Sequence, residues 1–171
     1  MTEGLIDIRV RETGCTPRHL RKAMTGGKRE AWHKTGVLFH AEMRDERFTA
    51  EHGRKAGYQP RQGEQAGQGG KFWRTYTGQK LRKWRHKRPL EWSGETRRLV
   101  RSANITATTK LARVSYSGAR KLNYRRWPSS PRMADEFRKL LPEEITKLAA
   151  RYDESLDRYL ATYQETTTTK V

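Results

Sequence analysis

The sequence predicts an α+β fold in a single domain over residues 1–171, with a small antiparallel sheet of about four strands packed by N-terminal and C-terminal helices and carrying a long basic loop. Three observations predict it. Short runs between Arg88 and Tyr124 alternate apolar and polar residues with the two-residue period of strands. The stretch from Pro142 to Tyr163 repeats apolar residues at helical spacing, and residues 58–88 are glycine-rich and then strongly basic. Hydrophobic and charged residues each make up 33% of the chain and mean hydropathy is −1.06, so the folded body is small relative to its length.

Taken in order, Leu5–Val10 alternates, with Ile6, Ile8 and Val10 on one side, and predicts a first strand. Thr16-Pro17 is an N-cap and first-turn signal, opening a helix that Gly26-Gly27 is expected to interrupt and that resumes through Met43. Its apolar side holds Ala31, Trp32, Thr35, Leu38, Phe39 and Met43, with Trp32 and Phe39 as core candidates. Thr49 is a second N-cap, and Gly57 ends that helix. Residues 58–70 are too polar and glycine-rich to pack alone and predict a flexible loop. The central sheet begins at a Pro89 turn and a Ser93-Gly94 break. Leu99, Ala103 and Ile105 share one strand face, and Ala112, Val114 and Tyr116 share a second across a loop at 106–110. After a turn at Gly118, Leu122 and Tyr124 mark another strand. Trp127-Pro128 breaks the chain, and Met133–Leu141 is a short helix with Met133, Phe137 and Leu140 or Leu141 on one side. Pro142 restarts a last helix whose stripe of Ile145, Leu148, Ala149, Tyr152, Leu156, Tyr159, Leu160 and Tyr163 is expected to cover the sheet. Residues 165–171 have no apolar face and read as a flexible tail.

The formal charge of +18 sits in the middle of the chain. Residues 54–134 hold 21 Lys/Arg against 3 Glu, while the flanking segments are close to neutral. A field so concentrated attracts a polyanion or an acidic protein surface. One cysteine, Cys15, makes no internal disulfide and reads as a spare loop thiol, which points to a reducing cytoplasm. No apolar run reaches the ~18–20 residues that span a bilayer, so no membrane partner is expected.

Catalysis finds little support. His19, His33, His40, His52 and His86 are scattered among basic residues; His33 and His40 share a helix face but have no carboxylate cluster beside them, so no metal is expected. Glu91 and Glu95 are expected to make local ion pairs with Arg97 and Arg98. The glycine-rich loop lacks the Gly-Lys-Ser/Thr ending of a phosphate-binding loop. The reading is a non-enzyme with no cofactor.

The segment 71–88 carries eight cations and no acid: Lys71, Arg74, Lys80, Arg82, Lys83, Arg85, Lys87 and Arg88. These are expected to face DNA or an acidic partner. Trp73, Tyr76 and Trp84 punctuate them and read as anchors on the body or on a neighbouring subunit in preference to base-stacking platforms. Residues 58–88 together form an extended basic arm.

The run Arg88-Pro89-Leu90-Glu91-Trp92-Ser93-Gly94-Glu95-Thr96-Arg97-Arg98-Leu99 resembles a phage morphogenesis pattern in which Pro-Leu precedes Thr/Ser-Gly and a basic, apolar strand. That pattern is similar to the tail-completion and neck proteins of tailed bacteriophages, which join the DNA-filled head to the tail, and the order of elements from about residue 5 to 163 resembles theirs. The basic insertion from Tyr58 to Lys87 departs from it. The resemblance implies a structural virion protein forming a homo-oligomeric ring, assembled in the host cytoplasm. Its implied partners are other neck, portal-adaptor or tail-tube proteins, with non-specific contact to genomic DNA, and Pro89, Leu90, Ser93 and Gly94 form its turn motif. The competing reading is a stand-alone basic DNA- or RNA-binding protein, against which stands the lack of a zinc finger, an RNA-recognition aromatic motif or a helix-turn-helix.

Overall fold

A computed structural model of the chain describes residues 17–65, 67, 69–116, 120–123 and 132–163. The expected strand at 5–10, Cys15, the Gly118 turn, the break at Trp127-Pro128 and the tail at 165–171 lie outside them. Helix α1 runs from Pro17 to Leu38 and continues through a π turn at Phe39–Met43 and a 3-10 turn at Asp45–Phe48. Helix α2 covers Ala50–Lys55, α3 Tyr76–Trp84, α4 Glu95–Leu99, α5 Arg120–Asn123, α6 Met133–Phe137 and α7 Pro142–Thr162. Strands β1 (Asn104–Ala107) and β2 (Ala112–Ser115) form an antiparallel hairpin.

The α+β class holds, with a two-stranded sheet among the described residues in place of about four strands. Of the expected strands, the one through Leu99, Ala103 and Ile105 is helical up to Leu99 and extended only from Asn104, and the one at Leu122 is helical, with Tyr124 outside the described residues. Gly94 takes a left-handed conformation (φ 81°) immediately before Glu95, and Glu95 leads with Arg97 and Arg98 at the end, an order of charges that suits a helix dipole. The run read as alternating therefore winds into α4, burying Thr96 and leaving Val100 fully buried. Leu122 sits on α5, where it enters the core. The hairpin has the expected faces at Ile105, Ala112 and Val114, but Thr106 and Ala107, expected in the loop, belong to β1: Ile105 pairs with Val114 and Ala107 with Ala112 on the half-buried face, while Asn104, Thr106, Arg113 and Ser115 are exposed. Thr108 closes its turn, its amide donating to Leu111 O at 2.9 Å.

Gly26 and Gly27 do not interrupt α1. Glycine costs about 1 kcal/mol in a helix relative to alanine, and here the missing side chains admit α7. A Cβ at Gly27 would lie 2.9 Å from both Leu156 Cδ1 and Tyr159 Cδ1. The buried residues Ala23, Gly27, Ala31 and Thr35, four apart, form the seam on which α7 lies, and the Trp32 and Tyr152 rings meet at 4.7 Å. Gly36 serves the hairpin in the same way, its Cβ position being 2.9 Å from Ile105 Cγ2. The late helix thus packs on α1 instead of covering the sheet, and α1 lies between the two.

The fully buried apolar cluster is elsewhere: Phe48, Leu90, Val100, Leu122, Ala134 and Phe137, flanked by Phe39, Tyr58, Tyr116 and Met133. Phe39, half-buried, packs against it as a core candidate should, whereas Trp32 is half-buried on the α7 seam. Of the α7 stripe, Ile145 is 54% exposed and Ala149 is also exposed, so the helix contributes a half-buried seam. Thr49 caps α2 as expected, its hydroxyl accepting from His52 N at 3.2 Å, and Gly57 follows at φ 60°.

Candidate nucleic-acid interface

The basic arm folds back on the body. Phe72 is buried in a 3-10 turn at Phe72–Arg74, and Thr75, an N-cap residue within the run expected to be an extended arm, accepts from Gly78 N at 3.2 Å to start α3. Gly78 is required there, because any side chain would run into the Phe72 carbonyl. The loop expected to be flexible is pinned instead: Gln59 N donates to Glu136 Oε1 at 2.8 Å, Arg61 pairs with Glu136 at 2.5 Å, and Thr77 N donates to Gln62 O at 3.2 Å. Glu136, 3% exposed on α6, is therefore the anchor of the loop.

The expected site residues divide between surface and interior. Lys71, Arg74, Arg82, Lys83, Arg85, Lys87 and Arg88 are exposed, and none of the first five forms an ion pair with a described carboxylate. Lys83 lies over the Trp84 ring at 5.2 Å and Lys87 over Phe72 at 5.5 Å, contacts that hold the cations near the surface without neutralising them. Trp73 and Trp84 are 40% and 38% exposed, so neither is sealed into the body. Tyr76 is a half-buried anchor whose ring meets Trp92 at 4.9 Å, and burial raises its hydroxyl pKa.

Lys80 corrects the expectation of a fully partner-facing arm. It is 3% exposed, and its ammonium donates to Arg88 O and lies 5.6 Å above the Tyr76 ring. Burial pulls its pKa down from 10.5 to about 8, against the opposing pull of Glu91 and Glu64. Glu91 is 1% exposed and pairs with Arg88 at 3.4 Å and His86 at 3.5 Å, not with the expected Arg97; Arg97 instead reaches Asp45 at 3.5 Å. Burial and the Lys80 charge hold His86 below the ordinary histidine value. Around this pair the turn motif takes its shape: Pro89 lines a cleft, Leu90 is buried at φ 56°, Ser93 is exposed, and Gly94 starts α4.

That cleft, about 380 Å³, lies between the α2–Arg61 segment and the α3–Arg88 segment. It gathers Arg54 and Arg61 with Lys80, Lys87 and Arg88, and Glu64 is its one acidic lining residue. Arg54 and Arg61 fall outside the run of eight cations, and only the wider charge excess of residues 54–134 hinted at them.

A second polar cluster lies behind it. Arg47, wholly buried, bonds Glu144, lies against both ring nitrogens of His52 at 3.1 and 3.0 Å, and stacks over Phe39 at 5.2 Å. Burial pushes Glu144 up, but the Arg47 bond and the Leu141 amide, donating at 2.7 Å, hold it below its ordinary value. Burial and Arg47 lower His52. Glu46, His52 and Glu144 are close enough to share a cation, yet the Arg47 guanidinium already fills that role between His52 and Glu144. His40 is tied to Tyr116 at 3.4 Å and Arg44 at 3.3 Å, while His33 is exposed.

No described helix is long and apolar enough to cross a membrane. No family model, no curated protein and no solved structure matches the chain.

Proposed function

We propose that the chain is a structural subunit of the neck or tail of a tailed bacteriophage, closing with copies of itself into a ring that completes the tail or connects it to the head. It is placed in the virion after assembly in the host cytoplasm, and no catalysis is assigned to it. The observation that carries the reading is an incomplete body. The two four-residue strands have no further partner strand among the described residues, and Leu20, Val37, Leu111 and Ile145 are 51%, 42%, 47% and 54% exposed. A two-stranded hairpin is marginal alone and gains from a neighbour that covers its edge. The Pro89–Gly94 turn, on which the resemblance rests, adds support through its two positive-φ residues, Leu90 and Gly94, because a specified turn suits a fixed contact. In this arrangement the unpaired cations of the arm face DNA in the channel or an acidic neighbouring protein.

The stand-alone DNA- or RNA-binding reading is favoured by one observation, the cluster of exposed cations without carboxylate partners. Size-exclusion chromatography with light scattering separates the two. A ring subunit gives a closed assembly at a multiple of 20.0 kDa, or joins connector proteins into one. A chain that stays monomeric at every concentration, ignores connector proteins and still shifts DNA is the stand-alone binder.

A further inference from the structure

The cleft between α2 and α3 has features that the exposed cations do not share. Its floor is a buried lysine, Lys80, whose only hydrogen-bond partner among the described residues is a neutral carbonyl, that of Arg88. An ammonium has three N–H donors, so two remain. Of the other four cations, Arg61 is paired with Glu136 and Arg88 with Glu91, whereas Arg54 and Lys87 have no described carboxylate within ion-pair distance. Glu64 accepts from Arg61 N at 2.7 Å, which occupies one of its oxygens on the wall, and Glu91, buried and paired with Arg88 and His86, does not line the cleft. Glu91 and Glu64 act on the Lys80 ammonium only from beyond ion-pair distance, so its burial remains costly, and an anion entering the cleft offsets that cost. The walls are rigid where it matters, with Pro60 and Pro89 in the lining and Tyr58 and Tyr76 providing apolar sides.

We propose that this cleft is a phosphate pocket that takes one phosphoester group of a nucleic-acid strand, with Lys80 beneath the phosphate and Arg54 and Lys87 at the rim. The inference deepens the reading of this face as one that meets nucleic acid, and rests on it for the source of the phosphate. At about 380 Å³ the cleft is the size of a small ligand site, so it accepts one phosphate with its sugar or a strand end and excludes a duplex. The exposed cations on α3 supply sequence-independent attraction along a strand; the pocket supplies a single fixed contact.

The test is isothermal titration of the full chain with inorganic phosphate, and with a six-nucleotide single strand bearing or lacking a 5′-phosphate, all at equal ionic strength. Wild type is expected to bind one phosphate per chain, to prefer the phosphorylated strand, and to release it when phosphate is added. Lys80→Met keeps the apolar stem and is expected to weaken phosphate at least about tenfold without lowering the melting temperature, with Arg54→Ser/Lys87→Ser weakening it similarly. Arg82→Glu/Lys83→Glu is expected to weaken both strands and leave phosphate binding unchanged, which separates failure of the wider surface from failure of the pocket. No saturable phosphate binding, or Lys80→Met binding as wild type does, overturns the pocket. Saturable phosphate that fails to compete with the strand overturns the nucleic-acid source.

Discussion

Replacing Gly27 by valine tests the packing of α7 on α1. By intrinsic propensity alone the change helps the helix, since glycine is about 0.8–1.0 and valine roughly 0.5 kcal/mol worse than alanine, a gain of a few tenths. The seam opposes it. The first added carbon already lies 2.9 Å from Leu156 Cδ1 and from Tyr159 Cδ1, closer than ordinary contact, and two further methyl groups follow. Overpacking of this kind costs about 1–3 kcal/mol. The net expectation is a loss of about 2 kcal/mol, which for a chain of 171 residues lowers Tm by roughly 4–8 °C. Circular dichroism on wild type, Gly27→Val, Leu156→Ala and the double variant checks it, because trimming Leu156 makes room for the valine and the two losses add to less than their sum by about 1 kcal/mol. A valine variant that melts at or above wild type, or strict additivity, refutes the seam.

The buried Arg47–Glu144 bond gives a second prediction: Arg47→Met leaves Glu144 buried without its counterion and is expected to cost about 3–5 kcal/mol in chemical denaturation. For pH, both shifts act in the same direction. Glu144 is held below 4.5, so its contribution is present above that pH and is lost as pH falls through the lower folded value. His52 is held below 6.5, so the unfolded chain takes up its proton first and stability also declines as pH falls below 6.5. Melting curves at pH 7, 5 and 4 are expected to fall steadily, with Glu144→Gln showing a flatter decline; a flat wild-type profile contradicts this. At Gly94, where φ is 81° and the Cβ position is open, valine introduces backbone strain alone, about 1–2 kcal/mol or more, and asparagine restores most of it. Equal melting of valine and glycine at 94 removes the turn argument. Reversing Arg82, Lys83 and Arg85 to Glu is expected to abolish DNA binding at low salt while leaving Tm within a few degrees, as befits exposed charges; retained DNA binding contradicts the assignment of this face.

What was legible in the sequence was local. Pro142 with Glu143 and Glu144 marks the start of α7, Thr49 and Gly57 bracket α2, and the alternation at Ile105 and at Ala112 and Val114 marks the half-buried face of the hairpin, although its loop is shorter than the 106–110 expected. What was not legible depended on distant partners. Gly26-Gly27 signals a break until α7 supplies the reason for glycine inside a helix. Residues 95–99 are too few for periodicity to tell strand from helix, and the left-handed Gly94 with the Glu-to-Arg charge order decided for helix. The burial of Arg47, Lys80 and Glu91 was invisible for the same reason. Charged residues read as surface, and Arg47 finds its carboxylate 97 residues away. Among the site residues the exposed cations of the arm were named from the sequence, while the cleft needed Arg54 and Arg61 brought across from another segment.

The central claim is a place in the neck or tail of a phage particle, and low-resolution electron microscopy of particles containing this chain, with a label fused to one of its ends, measures that place directly. Labelled density is expected to form one closed ring at the junction of head and tail or at the head-proximal end of the tail. Particles that lack the chain, or label scattered through the head interior with the packaged DNA, contradict it.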